Sequence, residues 1–283
     1  MIVCYAQGGG LGHLTRLRAY LHTVHADEPA TVLSGSPFTA DPRVLGPHRL
    51  LHLTGSPAAV LAELRPEVLV VDAFPAGITG ELDAGCVPPG TRTVHLARLL
   101  RWDAYREVLP ASPIRFDRTW TVEEPTAAHG AHLSRVSAAV QPLELVDPPA
   151  PASDSSAASV CSAGSVASDV DGAWLILHAG PAAEVHELVA YAAECAAAEG
   201  RRPRLVLAAP HRPAGLPDGV AHIDPFPAWP LFEQAERVIT AAGFNAVRQM
   251  RPWRAKHRML PFPRRWDDQF TRAARARAGS PQP

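Results

Sequence analysis

With 47% hydrophobic and 19% charged residues, a 283-residue chain can bury one large core or two of ordinary size, which excludes a disordered protein. A formal net charge of −1 removes the electrostatic reason to bind nucleic acid, and no run of about 20 apolar residues exists to cross a bilayer. Cys4, Cys86, Cys161 and Cys195 lack paired spacing, and the short apolar N-terminus has no basic region of the signal-peptide kind. The expectation is a cytoplasmic protein with reduced thiols.

Ile2-Val3-Cys4-Tyr5 predicts a buried first strand, and leucines at 14, 17 and 21 predict a helix over 14–24. Between them lies Gly8-Gly9-Gly10-Leu11-Gly12-His13, a glycine turn whose backbone can take positive φ and let a ligand approach closely. Two nucleotide signatures fail here. Glycines at offsets 1, 3 and 6 are absent, because His13 or Thr15 takes the third position. No Lys-Ser or Lys-Thr follows the turn, and Lys256 is the only lysine in the chain. What remains is a strand, a glycine turn and a helix, with His13 above the strand ends where α/β sheets bind ligands.

Short strands are then expected near 31–33 and 50–53, and a helix over 57–64. Val68-Leu69-Val70-Val71-Asp72 reads as a strand buried on both faces that ends on an acid. A strand over 91–95, a helix over 96–109 and a last strand over 118–122 complete a parallel, helix-covered sheet. The 96–109 stretch, with Arg98, Arg101, Trp102 and Arg106, also has the make-up of a helix lying against a membrane, although an ordinary sheet-covering helix has the same pattern.

Composition changes to Ser, Ala and Pro over 148–171, predicting a linker between an N-terminal domain, 1–147, and a C-terminal domain, 172–283. The second domain repeats the pattern: strands over 174–178, 205–208, 220–223 and 237–240, helices over 184–199, 231–235 and 267–278, and a helix opened by Ala242-Gly243-Phe244-Asn245. Two such halves are expected to leave a cleft between them. The histidine pairs His22 and His25, His48 and His52, and His129 and His132 have no carboxylate or cysteine at ligand spacing. No metal is expected.

Four motifs stand in order across nearly the whole chain. They are Gly10-Leu11-Gly12-His13-Leu14-Thr15-Arg16, Asp72-Ala73-Phe74-Pro75-Ala76-Gly77, Ala242-Gly243-Phe244-Asn245, and Pro261-Phe262-Pro263-Arg264-Arg265-Trp266-Asp267-Asp268-Gln269-Phe270. Together they resemble the two-domain GT-B glycosyltransferases of the family 28 type, in the bacterial branch of the lipid-linked N-acetylglucosaminyltransferase of peptidoglycan synthesis. The last two motifs are the most specific. After the Gly-Tyr-Asn helix that family is apolar, whereas this chain reads Arg251-Pro252-Trp253-Arg254-Ala255-Lys256-His257-Arg258.

The resemblance implies an α/β protein of two Rossmann-like parallel-sheet domains facing a central cleft, working without metal or cofactor. It implies transfer of a hexosyl or N-acetylhexosaminyl group from a nucleotide-diphosphate sugar, a uridine diphosphate sugar foremost, to a hydroxyl of a lipid-linked or small-molecule acceptor, with membrane contact at most peripheral. On the donor side it points to Gly180, Gly243, Phe244, Asn245, Asp268 and Gln269. On the acceptor side it points to the loop of Gly10, Gly12 and Thr15. Transfer to a hydroxyl needs a base, and His13 is the candidate, with Asp72 contacting the acceptor or orienting the histidine. Two other readings use the same scaffold: a nucleotide-sugar 2-epimerase and a non-catalytic nucleotide-sugar binding protein.

Overall fold

The computed structural model describes residues 1–53, 55–150 and 169–279. The chain forms two compact units: unit 1 holds Met1–Pro148 with Arg264–Asp268, and unit 2 holds Pro149–Pro263 with Gln269–Pro283. Most of the Ser/Ala/Pro stretch expected as a linker, 151–168, lies outside the described residues.

Unit 1 contains strands β1 (Ile2–Tyr5), β2 (Ala30–Ser34), β3 (Arg49–His52), β4 (Val68–Asp72), β5 (Arg92–Ala97), β6 (Arg118–Thr121) and β7 (Val140–Pro142). Its helices are α1 (Leu11–His25), α2 (Pro42–Leu45), α3 (Pro57–Leu64), α4 (Trp102–Tyr105) and α5 (Ala127–Val136). All seven strands are parallel, in the order β3-β2-β1-β4-β5-β6-β7. The direction of the order reverses between β1 and β4, the switch point where doubly wound sheets open a crevice at the carboxyl ends of their strands. Val3, Tyr5, Leu69 and Val71 pack on Leu61 of α3, Ile114, Phe116 and Val136 of α5. The alternate residues Cys4 and Val70 are equally buried, so both faces of the sheet are covered, as the continuous apolar runs require. Each such side chain contributes about 1.5–3 kcal/mol relative to exposure. α1 starts at Leu11 and stops at Ala26, whose left-handed backbone (φ 47°) sends its N–H to the carbonyl of Leu21.

Unit 2 contains β8 (Trp174–Leu177), α6 (Ala182–Ala198), β9 (Leu205–Ala208), β10 (Val220–Ile223), β11 (Arg237–Ala241), α7 (Phe244–Gln249), β12 (His257–Leu260) and α8 (Gln269–Ala278). Its five parallel strands run β10-β9-β8-β11-β12, the same winding with its switch point between β8 and β11. One face packs Trp174, Ile176, Leu207 and Ile239 on Val185, Leu188, Val189 and Ala192 of α6. The other packs Leu175, Val206 and Val238 on Leu231, Phe232 and Met250.

Three expectations need correction, and one segment without an expectation is now defined. The helix over 96–109 is largely absent: β5 continues to Ala97, residues 98–101 cross the unit, and only α4 and a following 3-10 turn are helical. Leu96, Leu99 and Leu100 are fully buried in that path, so their helical spacing reflects burial by different elements. The sheet does not end at β6. α5, capped by the Thr126 hydroxyl, leads to β7, and its buried face of His129, His132, Leu133 and Val136 hid its periodicity behind histidines. The 231–235 helix is a 3-10 turn, Trp229–Phe232. The polar 251–258 segment is a 3-10 turn that leads into β12.

Candidate functional site

In unit 1 the switch point brings the turn after β1 next to the end of β4. His13 lies in the first turn of α1, and Asp72 is the last residue of β4. The His13 Nδ1 is 2.6 Å from Asp72 Oδ2. Arg16, one helical turn beyond His13, donates to both carboxylate oxygens, from Nε to Oδ1 at 2.6 Å and from Nη2 to Oδ2 at 2.5 Å. Sequence reasoning paired His13 with Asp72 but missed Arg16. The three-residue spacing that puts Arg16 on the histidine's face of α1 was the available signal. Directly after Asp72, Ala73 takes a left-handed φ of 61° and the Phe74 N–H returns to the Asp72 carbonyl at 2.7 Å. This tight turn ends the strand at the carboxylate.

Burial alone would raise the Asp72 pKa, but the Arg16 charge and the hydrogen bond to His13 outweigh it and hold the carboxyl well below its ordinary range. Asp72 is therefore ionised and can only accept. That assigns the Nδ1 proton to His13, and Arg16 Nη2, 3.2 Å from Nδ1, acts there as a nearby charge. Burial lowers the His13 pKa, and Arg16 and Arg98 add to the effect against the pull of Asp72. At neutral pH His13 is an uncharged imidazole with its proton on Nδ1. Its Nε2 makes no hydrogen bond among the described residues. The Asp72 side chain is fully buried, and its two oxygens accept from His13 and Arg16.

The Cδ2–Nε2 edge of the imidazole lies against Gly8, where a Cβ would come within 2.5 Å, so Gly8 (φ 154°) must remain glycine for the ring to sit there. Gly10 caps α1 through its backbone alone, Gly12 lies exposed in the first helical turn, and the Thr15 hydroxyl donates to the Leu11 carbonyl at 3.2 Å. The Phe74 ring is 5.5 Å from His13 and belongs to an aromatic cluster with Trp102, Tyr105 and Trp266. Arg98 sits over Phe74 and forms a buried ion pair with Asp267. The 96–109 stretch is thus partly interior, with Arg101 and Arg106 left exposed. Arg98 is buried, and Trp102 stacks on His129 at 4.4 Å.

In unit 2, Gly180 follows β8 and Gly243 follows β11, so both lie at that unit's switch point. His178, at the end of β8, bonds Glu184 in the first turn of α6 at 2.8 Å, and its ring lies over Gly180 so closely that no side chain fits there. No residue spacing announces this pair. Gly243 caps the six-residue α7. The Phe244 ring is buried, and Asn245 follows in the first helical turn. Gln269 is buried at the start of α8, its Oε1 accepting from the Phe262 N–H at 3.0 Å. Asp268, its neighbour, groups with unit 1.

The remaining histidines are dispersed. His22 bonds Asp27, His25 bonds the Tyr20 hydroxyl, and His129 and His132 pack on Trp102. Among the described residues no three His, Cys, Asp or Glu side chains gather where they could hold a metal, and no helix is long and apolar enough to cross a membrane.

No known family profile and no curated protein matches the chain. Solved structures do. The spinosyn forosaminyltransferase SpnP is similar at a TM-score of 0.56 and 12% identity, over 98% of this chain and 83% of that one. The glycosyltransferase SsfS6 of Streptomyces sp. SF2575, complexed with thymidine diphosphate, is similar at 0.55 and 11% identity, over 97% and 84%. The spinosyn rhamnosyltransferase SpnG, complexed with spinosyn aglycone, is similar at 0.53 and 15% identity, over 98% and 84%. At these identities the likeness is one of fold: two Rossmann-like, parallel-sheet halves arranged in sequence as in the GT-B glycosyltransferases.

Proposed function

We infer that the protein is a glycosyltransferase that moves a sugar from a nucleoside diphosphate sugar to the hydroxyl of an acceptor. The observation that carries the reading is the state of His13: neutral, its Nδ1 proton held on the ionised Asp72, its Nε2 without a hydrogen bond. In the proposed reaction Nε2 takes the acceptor's hydroxyl proton as the oxygen bonds to the anomeric carbon, and the nucleoside diphosphate departs with the electrons of the broken C–O bond. Asp72 and Arg16 keep the ring in the productive tautomer, and Asp72 offsets the charge gained by the imidazole. For the donor, the turns at Gly180 and Gly243 offer main-chain N–H groups to a diphosphate, with Phe244 contributing through its backbone only. Asn245, Asp268 and Gln269 are proposed from the resemblance as donor contacts. Gln269 Oε1 already accepts one bond, from the Phe262 N–H, and its amide nitrogen is the group that can donate to a sugar hydroxyl.

The fold neighbours include proteins complexed with thymidine diphosphate and with an aglycone, which supports a pyrimidine-diphosphate sugar and a small-molecule acceptor. A thermal-shift panel of uridine and thymidine diphosphate sugars tests the donor. A true ligand at a hundred times its Kd should stabilise the fold by about 2.7 kcal/mol. The matching diphosphate should then be released only when an acceptor hydroxyl is supplied. Release that proceeds without acceptor would point to epimerase chemistry, and a panel without any shift would end the transferase reading.

A further inference from the structure

The gly turns of unit 2 lie at the carboxyl ends of its strands. At the opposite end, where β12 begins and α8 finishes, there is a pocket of about 230 Å³ lined by Tyr191, Arg254, His257, Arg258, Met259 and Arg277. At roughly 30 Å³ per water, this is room for a phosphate group with part of its hydration. The arginines are held in place from behind. Arg254 Nη1 donates to the Ala276 carbonyl at 2.6 Å, closing the end of α8, and Arg277 Nη2 donates to the Met259 carbonyl at 3.0 Å. Arg258 Nη2 donates to Glu199 Oε1 at 2.9 Å. The remaining nitrogens of Arg254 and Arg277 have no protein partner among the described residues. Among the described residues, the carboxylate paired with Arg258, Glu199, is shared with Arg237.

His257 stands in the same field. Its Nε2 is 2.8 Å from the Thr240 hydroxyl, and burial, followed by the charges of Arg254 and Arg258, pushes its pKa down to about 4. A neutral histidine beside three fixed guanidinium groups leaves a pocket with surplus positive charge and pre-oriented N–H forks, the geometry that fits phosphate oxygens. We propose that this pocket is an anion site for a phosphate group, borne by a soluble phosphate ester or by a phospholipid head group. It is separate from the switch-point turns and independent of the glycosyl-transfer reading.

The test uses the full chain and the imidazole NMR signals of His257, assigned with His257→Gln, during titration with inorganic phosphate. The His257 signals should move saturably, and Arg277→Gln should weaken the apparent affinity by about tenfold or more. If Arg277→Gln does not fold, Arg277→Lys keeps the charge without the fork and should still bind several-fold more weakly. Two further arms separate the sources. Co-sedimentation with phosphatidylcholine vesicles containing phosphatidic acid, lost in the Arg277 variant, assigns a lipid head group. Phosphate binding without co-sedimentation assigns a soluble ester. His257 signals that do not move, signals that move only at His178, or equal affinity in the Arg277 variants would overturn the proposal.

Discussion

Each unit places a histidine on a glycine just after its first strand and bonds it to a carboxylate, yet the two pairs have opposite polarity. In unit 1 the imidazole of His13 belongs to the first turn of α1 and the carboxylate of Asp72 to a strand end. In unit 2 His178 belongs to the strand end and Glu184 to the first turn of α6. A helix N-terminus carries partial positive charge, so it favours the carboxylate at Glu184 and disfavours a proton on His13. Arg16 strengthens the second effect. The difference teaches that a histidine–carboxylate pair is not a function in itself. Which partner occupies the helix end sets the field around the ring, and at His13 that field works against a proton.

The largest effect is expected from breaking the polarity of unit 1 at its charge. Asp72→Asn leaves the Arg16 guanidinium buried without its counter-ion, which should cost about 3–5 kcal/mol in urea unfolding. Glu184→Gln, at the more exposed pair, should cost only about 0.5–1.5 kcal/mol. Equal losses would mean that the two pairs are energetically alike.

His13→Ala should lower the transfer rate by roughly 10²–10⁴-fold while donor affinity stays close to that of the parent protein. Because burial lowers the His13 pKa, the rate should decline with falling pH later than it would for an ordinary histidine. Turnover and melting temperature measured on one preparation decide the matter: normal turnover in a folded variant would leave His13 a structural residue.

Acid should separate the units further. The pKa of His129 lies at about 3 and that of His95 at about 4, burial being the main cause in both; both belong to unit 1. His257, at about 4, is the counterpart in unit 2. An unfolded histidine takes its proton near 6.5, so the stability these groups contribute is full above that pH and drains away as pH falls toward 4. Each contributes a slope of about 1.4 kcal/mol per pH unit in that window. His129→Phe, which keeps a ring on Trp102, should remove one such slope from urea titrations run between pH 7 and 5. An unchanged slope would show that His129 is protonated in the fold.

Smaller effects concern the glycines and Gln269. Gly8→Ala and Gly180→Ala should each cost about 1–3 kcal/mol by overpacking against the ring above them, with transfer suffering most in Gly8→Ala. Gln269→Ala should cost about 0.5–1.5 kcal/mol through the lost bond to the Phe262 N–H. A fall in donor affinity beyond that stability loss would support its place in the donor site.

Much of this was legible in the residues. Continuous apolar runs such as Val68-Leu69-Val70-Val71 and Trp174-Leu175-Ile176-Leu177 mark β4 and β8, because a sheet covered on both faces leaves no polar alternation to misread. The histidine-rich face of α5 and the short exposed edge β7 carry neither signal, and the leucines of 96–100 imitate a helix. At the site, the glycine turn and the acid at a strand end pointed to His13 and Asp72. The bond from Arg16 to a carboxylate 56 residues away, and the one between His178 and Glu184, arise only once strands are ordered in space.

The short segment Arg264–Asp268 belongs to unit 1 although its neighbours on both sides belong to unit 2. Its Trp266 closes the aromatic cluster around Phe74, its carbonyl receives the Arg101 N–H at 2.8 Å, and Asp267 bridges to Leu100 and pairs with Arg98. On the ribosome, all seven strands of unit 1 emerge long before these five residues do. Until they arrive, the nascent unit carries an open seam of Phe74, Trp102 and Tyr105 beside the histidine, of the kind that chaperones hold and incomplete chains aggregate through. The aromatic cluster that flanks the candidate base of the first unit is therefore completed only when translation has passed through most of the second.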